Sequence, residues 1–214
     1  KSMYLGPYAK YKKKSHEDYK KIFRSNLLNY HEAPLKCAET LKIGKVIGLI
    51  NGRMEFGPRA LCNRSIIVGT SDKGINEWLN KRMNRTEFMP FAPVMRKEIA
   101  KFFIKNYSEN DVTLNYMTST VDCLEEFRLN NPAVVHIDNT ARPQLVTEES
   151  NNFIWNVLLH WEKLTKENSL VNTSFNVHEE PIICDIDHGL KSLENNVIDE
   201  LWFVDNQQVR VYFK

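Results

Sequence analysis

The sequence predicts an α/β fold in which helices cover a mixed β-sheet. Three features predict it. Apolar runs of strand length recur between turn residues, as in Lys45–Ile50, Ser65–Gly69 and Leu170–Thr173. A long amphipathic stretch, Asn151–Lys166, carries Phe153, Ile154, Val157, Leu158, Trp161 and Leu164 at helical spacing. The chain ends on two apolar runs, Glu200–Val204 and Gln208–Phe213, joined by the tight turn Asp205-Asn206-Gln207. Strands and helices alternate irregularly, with hairpins among them, and one compact domain accounts for the pattern.

The elements follow in order. Residues 1–14 read as irregular, with a turn at Gly6-Pro7. Tyr19, Ile22, Phe23, Leu27 and Leu28 fall at helical spacing, which predicts a helix over Glu17–Tyr30. A second helix covers Ala33–Leu41, and Gly44 stops it. The Lys45–Ile50 and Ser65–Gly69 runs are buried strands. Asp72 can cap a helix that runs to about Met83. Phe91–Met95 reads as a short strand and Lys97–Phe103 as a short helix. Further strands are expected at Tyr116–Val121, Ala133–Ile137 and Gln144–Val146. Asp185 caps a helix to about Glu194.

Composition narrows the partners. The chain has 214 residues and a net charge of only +2, so no global field draws it to nucleic acid. The basic excess is local, in Lys10, Lys12, Lys13, Lys14, Lys20, Lys21 and Arg24, and reads as a solvated face. Cys37, Cys62, Cys123 and Cys184 form no Cys-x-x-Cys pair, which fits a reduced, cytoplasmic protein without a zinc framework. No apolar run approaches membrane-spanning length. Lys1-Ser2-Met3-Tyr4-Leu5-Gly6-Pro7 reads like the middle of a longer protein.

Four clusters carry chemistry. In the first, Gly52–Ser65, Arg53, Arg59 and Arg64 share a stretch broken by Gly52, Gly57 and Pro58. Forked guanidinium donors on a turn between buried strands suit phosphate or carboxylate; surface pairing with Glu55 is the competing reading. In the second, Lys81, Arg82 and Arg85 precede Phe91-Ala92-Pro93; they can bind an anion or serve the negative end of a helix. The third, Asp138–Gln144, follows an expected strand, and turn formation explains Asp138 and Asn139 but not Arg142 or Gln144. The fourth, Asn172-Thr173-Ser174-Phe175-Asn176, offers small hydroxyl and amide groups to phosphate oxygens or a ribose, or to a solvated loop. His136 and Asp138 have no evident third metal ligand, and no Cys–His nucleophile pair can be read. Many cations and small polar groups without an acid–base pair are the profile of phosphoryl or nucleotidyl chemistry, where catalysis is positioning and charge neutralisation.

These clusters, at 52–65, 85–93, 132–144 and 172–182, resemble the C-terminal domain of NodU/TobZ-type O-carbamoyltransferases. The family pattern reads Gly-Arg-x-Glu-x-Gly-Pro-Arg-Ala-Leu-Gly-Asn-Arg-Ser, then Arg-Glu-x-Phe-Arg-Pro-Phe-Ala-Pro. It continues Pro-Ala-Val-x-His-x-Asp-Gly-Thr-Ala-Arg-x-Gln and closes Asn-Thr-Ser-Phe-Asn-x-x-x-Glu-Pro-Ile. The resemblance implies a YrdC-like fold, a twisted mixed sheet flanked by helices, over residues 15–214, and an interdomain segment over 1–14. It implies that carbamoyl phosphate and ATP, with magnesium, become carbamoyl adenylate, releasing pyrophosphate and phosphate. The carbamoyl group then passes to an acceptor hydroxyl in an actin-like N-terminal domain, which holds the family's other metal ion and is absent here. Nucleic acid and membrane are not expected partners; a homodimer is open.

By position, the resemblance assigns Arg59, Arg85, Arg142 and Ser174 to catalysis. Arg142 would hold the phosphate of carbamoyl phosphate, and Ser174 and Asn176 would lie near the nucleotide phosphates. Arg53, Arg64, Lys81, Gln144 and Thr173 join Asn176 in the binding set. Three positions where the family has glycine carry Cys62, Asn139 and Glu179. Met89 and Met83 stand where it has an arginine and a lysine, and Lys81 or Arg82 can reach the lysine's place. The alternative to the enzyme is a non-catalytic YrdC-like module that binds nucleotide or RNA.

Overall fold

The computed structural model describes residues 2–12, 14–85, 90–205 and 207–214. Met89, and Asn206 of the terminal turn, lie outside these residues. Chain order is α1 (His16–Tyr19), β1 (Arg24–Asn29), α2 (Ala33–Lys42), β2 (Ile47–Asn51), β3 (Arg64–Val68) and α3 (Ile75–Arg82). It continues with β4 (Ala92–Arg96), β5 (Val121–Asp122), α4 (Glu125–Asn130), β6 (Thr140–Ala141), β7 (Gln144–Val146) and α5 (Asn152–Thr165). The last elements are β8 (Ser169–Ser174), α6 (Ile186–Glu194), β9 (Glu200–Val204) and β10 (Gln208–Phe213). Among the described residues, an eight-stranded sheet runs β1-β10-β9-β2-β3-β8-β4-β7. The β2–β9 and β4–β7 pairs are parallel and the others antiparallel, so the sheet is mixed.

Strand alternation splits the apolar residues between two cores. Ile66, Val68, Val171 and Leu201 face one layer, with α3, α4 and α6 supplying Leu79, Phe127, Leu190 and Leu193. Ile67, Leu170, Leu49 and Trp202 face the other, against Ala38 and Leu41 of α2 and Phe153, Val157 and Trp161 of α5. Asp185 caps α6 through its side chain, as its position predicts, and Asn151, read as the first residue of the helical stretch, caps α5 in the same way. No helix among the described residues is long and apolar enough to cross a membrane. Gly48, in the middle of β2, has a packing reason: a Cβ there would lie 2.5 Å from Phe175. Phe175 thereby seats the Thr-Ser-Phe-Asn segment against the sheet.

Four expectations are corrected. The helix expected over Glu17–Tyr30 is a single turn, α1, followed by edge strand β1 paired to β10. Leu28 packs on the α2–α5 core while Leu27 stays 51% exposed, the two-residue alternation of a strand. The strand expected at Ala133–Ile137 is a 3₁₀ turn, Pro132–Val134, leading into a loop whose Ile137 is fully exposed. At Tyr116–Val121 a 3₁₀ turn over Val112–Tyr116 ends at left-handed Met117, and only Val121 begins a strand. Asp72 does not cap α3. The helix starts after Gly74, whose N–H donates to Asp72 Oδ1 at 2.8 Å in a preceding turn.

The N-terminal segment is pinned to this scaffold. The Tyr212 hydroxyl lies 2.6 Å from both the Tyr11 hydroxyl and His16 Nδ1. Burial lowers the His16 pKa, with Arg210 and Lys20 adding to it and Glu17 opposing it. The fold therefore favours the neutral ring. This contribution is complete above the unperturbed histidine pKa of about 6.5 and fades as pH falls below it. We expect the melting temperature to drop less between neutral and mildly acidic pH in His16→Gln than in the parent; equal slopes would rule His16 out.

Cys62, Asn139 and Glu179, at the family's glycine positions, have φ of 69°, 67° and 64°. This left-handed region costs an L residue about 1 kcal/mol or more and glycine little. Glu179 is exposed, so Glu179→Gly is expected to stabilise the fold by roughly 1 kcal/mol in denaturant titration. Cys62→Gly would forfeit that gain, because the Cys62 side chain is fully buried.

Candidate functional site

The turn between β2 and β3 carries Arg53 and Arg59 and is shaped from inside by Glu55. Glu55 Oε1 accepts the backbone N–H groups of Leu61, Asn63 and Arg64 at 2.5, 2.8 and 3.2 Å. Glu55 is only 6% exposed, so it is an interior anchor rather than the surface partner of an arginine. From below, Asn172 Nδ2 donates to the Ala60 carbonyl at 3.0 Å. From outside, the N-terminal segment lies across the turn: Gly6 N–H donates to Met54 O, Met54 N–H to Pro7 O, and Phe56 N–H to Met3 O.

Two of the turn's arginines bind main-chain carbonyls of the protein. Arg53 donates to the carbonyls of Gly6 (2.9 Å) and Leu5 (2.7 Å), clamping the N-terminal segment. Arg64 is fully buried. Its terminal nitrogens donate to the carbonyls of Asn63 (2.7 Å), Gly52 (3.2 Å), Asn51 (3.3 Å) and Pro7 (3.4 Å). A guanidinium engaged by main-chain carbonyls has few donors left for a ligand. Gln144 is likewise interior. Its Oε1 accepts from Asn172 Nδ2 at 2.6 Å and from Cys62 Sγ at 3.3 Å.

The other assigned residues gather at one end of the sheet. Arg85 follows α3, stacks on Phe91 with its guanidinium carbon 5.6 Å from the ring centroid, and donates to the Thr173 hydroxyl at 3.3 Å. Ser174 Oγ donates to Asn176 Oδ1 at 2.6 Å, and Asn176 Nδ2 ties back to the Glu180 carbonyl at 2.8 Å. Arg142 lies between β6 and β7, with a buried and unpartnered Nε. Burial lowers its pKa first, and the positive charge of Arg59 lowers it further. Burial also lowers that of Arg85. Among the described residues, no carboxylate pairs with Arg59, Arg85 or Arg142. Arg85 and Arg142 are half-buried and Arg59 is exposed; guanidiniums without a counter-ion make a place for an anion. Lys81 is exposed on the last turn of α3, and neighbouring Arg82 is spent on Asp199 at 2.7 Å.

Residues 38–210 match the family described as the carbamoyltransferase C-terminus. The chain belongs to this family. An uncharacterized protein of Synechocystis is 36% identical over 188 residues, which is 78% of this chain and 30% of that protein. Nodulation protein NolNO of Sinorhizobium fredii is 35% identical over 170 residues, covering 78% of this chain and 24% of that one. The chain thus spans about a quarter to a third of these relatives' length. A crystal structure of full-length HypF, in a phosphate- and nucleotide-bound form, superposes with a TM-score of 0.57 at 22% identity. It covers 81% of this chain and 25% of that chain. The shared feature is the YrdC-like fold, the mixed sheet flanked by helices described above.

For this carbamoyltransferase-family domain, sequence reasoning missed the interior role of Glu55. The available signal was an acid within a Gly- and Pro-broken turn, a setting rich in unpaired main-chain N–H groups. It also gave Cys62 no role. Cys62 takes a left-handed conformation, and its N–H donates to Ser65 Oγ at 3.0 Å, which turns the chain into β3.

Proposed function

We propose that this domain is the carbamoyl-adenylate-forming part of an O-carbamoyltransferase. It would take carbamoyl phosphate and ATP, release pyrophosphate and phosphate, and hand the carbamoyl group to an acceptor hydroxyl bound elsewhere in the complete protein. The observation that carries this reading is the group Arg59, Arg142 and Arg85, cationic and without carboxylate partners among the described residues, beside the small polar Thr173–Asn176 loop. Arg142 and Arg59 would hold the phosphate of carbamoyl phosphate. Arg85, Thr173 and Ser174 would face the nucleotide phosphates, with the Ser174–Asn176 hydrogen bond presetting the loop. Fixed cations aimed where negative charge accumulates are what phosphoryl chemistry requires. Among the described residues no three His, Cys, Asp or Glu side chains gather, so magnesium would arrive with the nucleotide, held largely by phosphate oxygens.

The experiment is a pyrophosphate-release assay on the complete protein with ATP, with and without carbamoyl phosphate. Release that depends on carbamoyl phosphate is expected. ATP turnover that ignores carbamoyl phosphate, or its absence with intact ATP binding, would sink the reading in favour of a non-catalytic nucleotide-binding module.

A further inference from the structure

His136 stands beside the arginine group with no role so far. It lies in the loop that turns into β6, and its backbone N–H donates to the Thr140 carbonyl at 2.8 Å. Thr140 and Arg142 are two residues apart, and Pro143 keeps Arg142 extended, so both side chains leave the chain on one face. The His136 ring joins that face, with Nδ1 3.0 Å from Thr140 Oγ1. Arg142 is close enough for its charge to act on the ring.

The hydrogen bonds fix which ring nitrogen carries the proton. Asp138 Oδ1 lies 2.7 Å from Thr140 Oγ1 and accepts the Thr140 N–H at 3.0 Å. These two bonds hold the Asp138 carboxyl below its usual range, so it is ionised and can only accept. The single Thr140 hydroxyl proton therefore goes to Asp138. The hydroxyl oxygen is then left to accept, which makes His136 Nδ1 the N–H nitrogen. Burial lowers the His136 pKa, while Asp138 raises it and Arg142 lowers it, so the ring is neutral at neutral pH. His136 Nε2 then carries a free lone pair. It has no hydrogen-bond partner among the described residues and, on a half-buried ring, is not closed off from solvent. A fixed acceptor beside an unpaired cation suits a ligand that joins an anion to an N–H donor.

We propose that His136 is a specificity-determining residue: its Nε2 accepts an amide N–H of carbamoyl phosphate while Arg142 and Arg59 hold the phosphate. It rests on the carbamoyl-phosphate reading of the arginine group. In that substrate only one carbon and one oxygen separate the amide nitrogen from phosphorus. A guanidinium that grips the phosphate therefore leaves the amide within reach of a neighbour on the same face. An acyl phosphate with a methyl in place of the amino group would leave Nε2 unpaired, and that loss is how a site built to hydrogen-bond one group rejects its isostere. Thr140 and Asp138 act through His136 as positioning residues, because they hold the proton on Nδ1 and keep Nε2 an acceptor.

The test is calorimetry on the complete protein with two stable phosphonates of one shape. Phosphonoacetamide carries the amino group, and 2-oxopropylphosphonate has a methyl in its place. Phosphonoacetamide is expected to bind about tenfold more tightly, the effect of one hydrogen bond whose loss strands a polar group. The preference should vanish in His136→Phe and narrow in Thr140→Val, which frees the ring proton to move to Nε2. Both ligands should weaken in Arg142→Ala. Equal binding of the two by the parent, which needs no variant to fold, or a parent-like preference in His136→Phe would overturn the proposal. If either result came with binding that still depends on Arg142, the proposal alone would fall. No binding of either phosphonate, or affinities untouched by Arg142→Ala, would overturn the carbamoyl-phosphate reading and this proposal with it.

Discussion

Arg142→Ala is expected to lower carbamoyl-phosphate-dependent pyrophosphate release by about 10²–10³-fold, the usual effect of deleting one preorganised stabiliser of developing charge. The size follows from its surroundings. Arg142 is partly desolvated, repelled by Arg59 and without a carboxylate partner among the described residues. Among the described residues no carboxylate uses its charge, which leaves the guanidinium to what binds. For the same reason the melting temperature should barely move. Arg142→Lys should recover little, because an ammonium cannot grip a phosphate with two parallel donors. Kinetics with carbamoyl phosphate varied, beside a melting curve, check both halves. Full turnover in the alanine variant would remove Arg142 from the site.

Glu55→Ala should act in the opposite way, through the fold. Three interior N–H groups, of Leu61, Asn63 and Arg64, lose their common acceptor. At about 1–3 kcal/mol for each unsatisfied donor, less what water recovers, a loss of roughly 3 kcal/mol is expected. For a chain of this size that lowers the melting temperature by about 6–12 °C. Glu55→Gln keeps an oxygen where Oε1 sits and should lose much less. Inorganic phosphate binding should weaken in the alanine variant even where the domain stays folded, because Arg59 rides on the turn that Glu55 shapes. A melting temperature within a degree or so of the parent would show that the turn is held by the N-terminal segment and Asn172 instead.

The pair of variants separates two jobs that look alike in sequence. Arg53, Arg59 and Arg64 stand within twelve residues and read as equivalent cations. In the fold Arg64 satisfies main-chain carbonyls, Arg53 clamps the N-terminal segment, and only Arg59 approaches Arg142. No spacing rule distinguishes them, because the carbonyls that claim Arg64 belong partly to residues 51, 52 and 7.

What the sequence determined by itself was local or patterned. Asp185 caps the helix that follows it because a cap bond spans three residues. The strand runs at β2, β3, β8 and β9 were legible because burial on both faces favours runs of apolar residues, and β10 by its two-residue alternation. The ordered motifs identified the family. The tertiary structure alone decided what depended on distant partners. Leu27 and Leu28 fit a helix as well as a strand until β10 offers its edge from the far end of the chain. Glu55 could have paired an arginine until the turn closed and turned three N–H groups inward. A side chain's role follows from the hydrogen-bonding groups it is buried against, and in this sheet those groups come from strands far apart in sequence.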